Sequence, residues 1–173
     1  LDIDQEIRQT VLDDDRLSGM GTTLTAIALY RNRAYVLHAG DSRAYRLRGK
    51  ELQQITKDHS VVQELIDSGA ITEAEAAFHP QRSVLTNVLM GQGNITPLLV
   101  SYEIKLGDKF LLCSDGLNTV VSNDEIKAAL KGEDAISKLV ELTYERGAPD
   151  NVTIILAKVG QSDTATQFLG AAK

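Results

Sequence analysis

The chain has 173 residues, of which 43% are hydrophobic and 24% are charged, and its formal net charge is −6. These values are ordinary for one globular domain and exclude a disordered chain, a collagen and a disulfide scaffold. The acidic balance argues against sequence-independent nucleic-acid binding, and no apolar stretch approaches the roughly 20 residues that span a bilayer. We therefore expect a cytoplasmic protein that binds neither nucleic acid nor membrane.

The first half of the chain reads as a helix, a group of strands and a helical middle. Ile3, Ile7 and Val11 have helical spacing, so the chain opens in a helix. Four strand-like runs follow, at 22–30, 34–39, 42–47 and 51–55. Their close spacing implies antiparallel pairing, because parallel strands need long crossovers. Capping signals at Ser60 and Thr72 then mark short helices.

The second half returns to strands and then adds helices. The predicted elements are strands at 98–104 and 109–113, a helix capped by Ser122 with Glu125, a helix over about 136–147 and a final strand at 151–159. Residues 161–173 are small and polar, which predicts a flexible tail. This order of elements predicts an α+β fold, with an antiparallel sheet system and helices packed outside it.

Three aspartates share one context, the end of a strand-like run beside a residue with a small side chain. They are Asp41 after the run 34–39, Asp115 after the run 110–113 and Asp150 before the run 152–159. With the predicted pairing, all three carboxylates converge at one end of the sheets. Like charges that close raise each other's pKa unless a cation neutralises them, and oxygen ligands favour Mg²⁺ or Mn²⁺ over Zn²⁺. Ordinary turn chemistry is the alternative interpretation, because Asp beside Gly, Ser or Asn is common in turns.

Four segments also occur in a recognisable order along the chain. They are GMGTTL at 19–24, AGDSRAYR at 39–46, LLCSDGL at 111–117 and DNVT at 150–153. Together they resemble the metal-dependent protein serine/threonine phosphatases of the type-2C family in their bacterial form. The resemblance covers about residues 18–159, and KDHS at 57–60 also matches.

The resemblance implies a two-layer antiparallel β-sandwich flanked by helices (α-β-β-α). It places a single domain at residues 1–160, with a helical flap at about 58–90. The implied activity is hydrolysis of phosphoserine and phosphothreonine on proteins by a metal-activated water at a binuclear Mn²⁺ or Mg²⁺ centre, with two or three ions in a complete site. No side-chain nucleophile is needed, so Cys113 is interpreted as a buried thiol.

The resemblance also assigns roles to individual residues. Asp115 and Asp150 are expected to bind the second metal, and Asp41 is expected to bind a third metal together with Asp115. Apart from the resemblance, Ser114 is predicted to orient Asp115 and Arg43 to support Asp41 or Asp115, and Asn151 is predicted to act with them outside the ligand set. His38, His59 and His79 are interpreted instead as a hydrogen-bonded strand residue and two cap or surface residues.

The earliest motifs of the family have no counterpart in these 173 residues. In the family, one of these motifs is an Arg that binds the substrate phosphate, and the other is an Asp-Gly segment whose Asp bridges both metals. Because the chain starts at Leu1 in mid-pattern, we expect an N-terminally truncated domain, the C-terminal portion of a longer protein, rather than a natural short form. We expect little or no activity from this portion alone, and a homodimer formed through uncovered sheet edges.

The implied partners are phosphorylated proteins and a cognate serine/threonine kinase. Two alternatives stay open at this point: a catalytically inactive phosphatase-like binding or regulatory module, and a phosphatase similar to stage II sporulation protein E. The Gly-Asp-Ser-Arg match at 40–43 favours the general phosphatase branch over the sporulation branch. Retention of Asp41, Asp115 and Asp150 argues against an inactive module.

Overall fold

The structure, a computed structural model, describes residues 2–160 and 167–172 of the chain. The helices are α1 Asp2–Asp13, α2 Val61–Asp67, α3 Glu73–Ala76, α4 Asp115–Asn118, α5 Asn123–Lys131 and α6 Ala135–Glu145. The strands are β1 Leu24–Tyr30, β2 Arg33–Ala39, β3 Arg43–Arg48, β4 Glu51–Gln54, β5 Leu98–Glu103, β6 Lys109–Cys113, β7 Thr153–Lys158 and β8 Gln167–Ala172. Within the described ranges, no helix combines the length and the apolar character that a membrane crossing requires.

The strands form two sheets. One has three strands in the order β1-β2-β5, and the other has five in the order β4-β3-β6-β7-β8. All neighbours in the five-stranded sheet are antiparallel. Its register pairs Arg43 with Cys113 and Cys113 with Ile154. The start of β3, the end of β6 and the start of β7 therefore lie side by side at one end of the sheet. Antiparallel sheets with flanking helices confirm the predicted α+β class.

Two compact units make up the chain. The first consists of Leu1–Ala26, Val36–Asp41 and Lys57–Val100, and the second of Ile27–Tyr35, Ser42–Thr56 and Ser101–Lys173.

The second unit has its core where α4, α5 and α6 cover the five-stranded sheet. Its fully buried side chains include Tyr45, Leu111, Leu117, Ile126, Leu130, Leu139 and Ile154. Burying each such side chain contributes about 1.5–3 kcal/mol. A reciprocal capping box between Ser122 and Glu125 starts α5, as the sequence predicts.

The first unit contains α1 and the short helices of the predicted flap. Ser60 caps α2 by accepting a hydrogen bond from the Gln63 N–H, and Thr72 and Glu75 form the capping box of α3. Isolated antiparallel bridges pair Ser60 with Leu85 and Thr22 with Leu89. These bridges fix the two ends of the helical segment by backbone hydrogen bonds.

The C-terminal segment differs from the flexible tail that its composition predicts. Gln167–Ala172 forms β8, which pairs antiparallel with β7 along its whole length. The rest of the predicted tail, residues 161–166 and 173, lies outside the described residues. Pairing with β8 satisfies the backbone N–H and C=O groups that β7 would otherwise present at a sheet edge, a requirement that composition does not reveal.

Candidate metal centre

Asp115 and Asp150 lie at the same end of the five-stranded sheet, where β6 ends and β7 begins. Asp115 is the first residue of α4, just after β6, and Asp150 lies in the loop that leads into β7. Since β6 and β7 are antiparallel neighbours, the end of one strand lies beside the start of the other. The side chains are close enough for Asp150 to change the titration of Asp115.

The electrostatics of Asp115 are those of an unneutralised acidic pair. Burial raises the pKa of the Asp115 carboxyl, and the negative charge of Asp150 raises it further. Hydrogen bonds from the backbone N–H groups of Gly116 and of Asp115 itself oppose this rise in pKa. A half-buried carboxylate that faces a second carboxylate gains stability when a cation binds between them.

Gly116 is the residue that lets the two acidic segments approach each other. A Cβ at position 116 would clash with the backbone carbonyl of Asn151, and the Asp150 carbonyl oxygen would lie only 3.4 Å away. Any larger side chain would therefore force α4 away from the Asp150 loop. From the sequence, Gly116 is only a small residue beside Asp115. In the structure, the absence of a side chain lets the start of α4 contact the backbone of Asn151.

Ser114 ties the same two segments together by hydrogen bonds. Its Oγ accepts from the Thr153 N–H at 3.0 Å and donates to the Asn151 carbonyl at 3.2 Å. The Asn151 N–H in turn donates to the Asp150 carboxylate at 2.6 Å. The described hydrogen bonds of Ser114 and Asn151 thus act on the Asp150 loop.

The remaining predicted site residues lie at the ends of other strands. Arg43 starts β3, opposite Cys113, and its guanidinium donates to the Tyr45 hydroxyl at 3.4 Å. Asp41 follows β2 in the first unit, directly after Gly40, whose φ of +108° only glycine adopts readily. Within residues 2–160 and 167–172, no group of three or more His, Cys, Asp and Glu side chains has a geometry that could hold a metal ion. Convergence of Asp41 with the Asp115–Asp150 pair stays a prediction.

The Asp115–Asp150 pair fits a hard divalent cation. Both side chains offer carboxylate oxygens, the donors that Mg²⁺ and Mn²⁺ prefer. Asp150 also borders an open cavity of about 420 Å³, lined by Tyr144, Ala148, Pro149, Asp150, Asn151 and Val152. Since a water molecule occupies about 30 Å³ of liquid, this cavity has room for several waters beside Asp150.

The three histidines have different environments. His38 is fully buried and hydrogen-bonded, as predicted. His79 accepts a hydrogen bond from the Gln81 N–H in an exposed turn. His59 differs from the predicted cap or surface residue, because its ring stacks on His38. In the sequence, His59 stands in the KDHS segment at 57–60, which carries no local signal for a ring contact with His38.

Comparison with known proteins gives relatives along most of the chain. No protein-family model matches it. The serine/threonine protein phosphatase PstP of Mycobacterium tuberculosis is 48% identical over 150 residues, which are 85% of this chain and 29% of PstP. Protein phosphatase PhpP of Streptococcus pneumoniae is 35% identical over 167 residues, which are 94% of this chain and 68% of PhpP.

A solved structure shares the fold as well as the sequence. It is the catalytic domain of the serine/threonine protein phosphatase PstP in complex with two manganese ions. The match has a TM-score of 0.84 and 42% sequence identity, and it covers 91% of this chain and 67% of that chain.

The fold and the acidic pair together define an α+β protein with two neighbouring carboxylates at the ends of paired antiparallel strands. With these relatives, the chain belongs to the PPM (type-2C) family of metal-dependent protein serine/threonine phosphatases. This confirms the family predicted from the four sequence segments. The chain spans less than a third of PstP and about two thirds of PhpP.

Proposed function

We propose that this chain supplies metal ligands to a phosphatase that hydrolyses phosphoserine and phosphothreonine on proteins with Mn²⁺ or Mg²⁺. The observation that carries the proposal is the half-buried Asp115, whose pKa is raised by burial and by the charge of Asp150. The manganese ions bound by PstP support the same chemistry for this relative of PstP.

The roles of the chain's own residues follow from their positions. Asp115 and Asp150 would hold one ion, and Asp41 together with Asp115 would hold another. Ser114 and Gly116 hold the acidic segments together, while Arg43 and Asn151 support them. A bound Mn²⁺ or Mg²⁺ supplies Lewis-acid chemistry, which lowers the pKa of water and neutralises phosphate charge in the transition state. The family relationship supports a single phosphatase-like domain at residues 1–160 with a flap at 58–90.

The test is Mn²⁺ binding by the 173-residue chain, measured by isothermal titration calorimetry and by the loss of free-ion EPR signal. Asp115→Asn and Asp150→Asn each remove one ligand charge, so we expect the affinity to fall at least about tenfold. Asp124→Asn is the matched control, because Asp124 is an exposed aspartate in the first turn of α5. Unchanged affinity in Asp115→Asn would remove Asp115 from the site.

Gly116→Ala separates geometry from charge in the same assay. It keeps every carboxylate but places a methyl group against the Asn151 carbonyl. We expect weaker Mn²⁺ binding than in the parent chain. For hydrolysis, a form of the chain that is extended at its N-terminus by an Asp-Gly segment of the family is assayed with p-nitrophenyl phosphate and a phosphothreonine peptide. Asp115→Asn in that form should abolish Mn²⁺-dependent turnover.

The cellular setting follows from the reaction class. A phosphoprotein phosphatase needs a kinase that makes its substrates, so we propose a cognate serine/threonine kinase, a cytoplasmic location and a role in signal transduction. Phosphoproteomics after deletion of the gene is the test. Accumulation of phosphoserine and phosphothreonine sites of one kinase is expected, and an unchanged phosphoproteome contradicts the assignment.

We also propose a homodimer that forms through sheet edges. β1 is an edge strand of the three-stranded sheet and β4 is an edge strand of the five-stranded sheet. An edge strand presents backbone N–H and C=O groups that can pair with a second chain. Sedimentation equilibrium over a range of concentrations tests this, and a monomer throughout would contradict it.

A further inference from the structure

The rings of His38 and His59 stack on each other in the first unit, and His38 lies three residues before Asp41 in the sequence. His38 lies on β2 and His59 lies just before α2, with ring centroids 4.8 Å apart and planes inclined by 28°. Burial lowers the pKa of both rings, and the neighbouring His59 lowers that of His38 further. The negative charges of Asp58, near both rings, and of Glu64, near His59, oppose this effect. Both rings are therefore neutral at pH 7.

Hydrogen bonds to backbone groups fix which ring nitrogen carries the proton. The His38 Nε2 lies 3.0 Å from the Lys57 carbonyl, which can only accept, so this nitrogen donates. The Gly40 N–H donates to the Nδ1 of His59 at 3.2 Å, so that nitrogen is an acceptor. His59 consequently carries its proton on Nε2.

Asn87 approaches the same His59 nitrogen with a donor. Its orientation is fixed by Thr96, whose N–H donates to Oδ1 at 3.1 Å and whose carbonyl accepts from Nδ2 at 2.6 Å. The Asn87 Nδ2 therefore also faces the His59 Nδ1 as a donor, at 3.3 Å. One ring nitrogen of His59 accepts from Gly40 on one side and from Asn87 on the other.

The backbone of His59 makes the same connection a second time. Its N–H donates to the Gly40 carbonyl at 2.8 Å, and its carbonyl accepts from the Thr86 N–H at 2.9 Å. Gly40 leads directly into Asp41, and a Cβ at position 40 would clash with the Thr23 side chain. Both backbone groups of Gly40 are thus hydrogen-bonded to His59, the N–H to the ring and the carbonyl to the His59 N–H.

We propose that His59 is a positioning residue for Asp41, because it ties the Gly40 corner to Asn87 at the returning end of the flap. The inference rests on the metal-binding role proposed above for Asp41. It assigns His59 no contact with substrate or metal. Its function is to present the Asp41 carboxylate from a fixed corner.

The variants separate the hydrogen-bond acceptor from the aromatic ring. His59→Phe keeps a ring that can stack on His38 but removes the acceptor. His59→Asn places its Oδ1 one bond from Cγ, where Nδ1 lies in histidine, so the acceptor is kept. His79→Phe is the matched control, because its Nδ1 also accepts a backbone N–H, that of Gln81 at 3.2 Å.

The first measurement is amide hydrogen exchange of Gly40 in the metal-free chain, followed by NMR. Loss of one neutral hydrogen bond should speed this exchange roughly three- to tenfold in His59→Phe. His59→Asn and His79→Phe should exchange like the parent chain. Because no metal and no substrate is present, this result does not depend on the proposed function. An unchanged Gly40 exchange rate in His59→Phe overturns the inference.

The second measurement is Mn²⁺ affinity of the same chains, combined with Asp41→Asn in a double-mutant cycle. His59→Phe should weaken Mn²⁺ binding roughly three- to tenfold when Asp41 is present and have no further effect in the Asp41→Asn background. An equal effect in both backgrounds overturns the positioning role. If Asp41→Asn alone leaves Mn²⁺ binding unchanged, the proposed role of Asp41 fails, even where Gly40 exchange responds as expected.

Asn87→Asp keeps the inference testable if His59→Phe does not fold. It replaces the Nδ2 donor with a carboxylate oxygen, which favours a proton on the His59 Nδ1, gained by a tautomer shift or by protonation of the ring. In either case the Gly40 N–H loses its acceptor. Faster Gly40 exchange and a changed ¹⁵N tautomer pattern of His59 are expected. Exchange and tautomer identical to those of the parent chain would overturn the inference.

Discussion

Asp115 shows at the scale of one residue how an ionisable group can oppose the stability of its own fold. Burial and the charge of Asp150 disfavour the ionised carboxylate, and only two backbone N–H groups favour it. An ionised group in such an environment destabilises the folded chain until a cation binds. Gly116 adds to this arrangement, because it removes the side chain that would keep the two acidic segments apart.

Asp115→Asn should therefore stabilise the metal-free chain. Because the pKa of Asp115 is raised in the folded state, the parent chain loses stability as pH rises from the unfolded carboxyl value of about 3.9 to the higher folded value. Above that range, with chelator present, we expect the Tm of Asp115→Asn to exceed the parent's by a few degrees. Thermal unfolding followed by circular dichroism from pH 3 to pH 8 measures this.

The difference in Tm should disappear at pH values below the unfolded carboxyl pKa, where both chains are neutral at position 115. Asp124→Asn removes only the small stabilisation that a negative charge gives to a first helical turn, so its Tm should not exceed the parent's at any pH. A Tm of Asp115→Asn below the parent's at pH 7 would show that the carboxylate is not destabilising.

At the scale of elements, α1 packs against the loop at residues 90–93, a contact that its helical sequence pattern does not predict. Asp4 is 5% exposed and accepts the backbone N–H groups of Met90, Gly91 and Gly93 at 2.8–3.1 Å. A Cβ at position 91 would lie 2.6 Å from the Arg8 Cα, so the loop fits closely against the helix. An acidic residue in a first turn is usually solvated, whereas this one attaches α1 to the loop after the flap.

Asp4→Asn should lower the Tm of the chain, because the amide leaves one of the loop N–H groups facing a donor. These N–H groups lower the pKa of Asp4, so the stability it provides is present above the unfolded carboxyl value of about 3.9 and is lost as pH falls through the lower folded pKa. The deficit of Asp4→Asn should thus be constant near neutral pH and shrink in acid. Asp2→Asn, at an exposed position on α1, is the control. An equal loss of Tm in Asp2→Asn would contradict the stabilising role of the hydrogen bonds that Asp4 accepts.

At the scale of the whole molecule, metal binding should act as a stabiliser of the folded chain. A ligand at 100 times its Kd stabilises the state that binds it by about 2.7 kcal/mol, which for this length corresponds to roughly 5–10 °C in Tm. Mn²⁺ should produce this shift in the parent chain and in Asp124→Asn, and chelator should reverse it. Asp115→Asn and Asp150→Asn should show at most about half of this shift, because a tenfold weaker affinity leaves about 1.4 kcal/mol at the same Mn²⁺ concentration. A full shift in both would place the ion elsewhere.

Local sequence signals predicted the elements because their physics is local. The capping boxes at Thr72 and Ser122 depend on side chains three residues away, and both formed as predicted. The places of Asp115 and Asp150 at strand ends were also visible in the sequence, whereas the antiparallel pairing of β6 with β7, which are joined through α4, α5 and α6, was decided by the tertiary structure. The four sequence segments identified the family for the same reason, as each is a short run of residues.

Only the tertiary structure decided the contacts that join distant parts of the chain. The approach of Gly116 to Asn151, the clamp of Asp4 on its loop and the acceptor role of His59 all involve backbone groups far away in sequence. Every residue carries such N–H and C=O groups, so sequence letters do not show which of them a side chain will meet. Composition likewise predicted a flexible tail for residues that form β8. The edge of β7, with which β8 pairs, exists only once the sheet has formed, so composition does not reveal it.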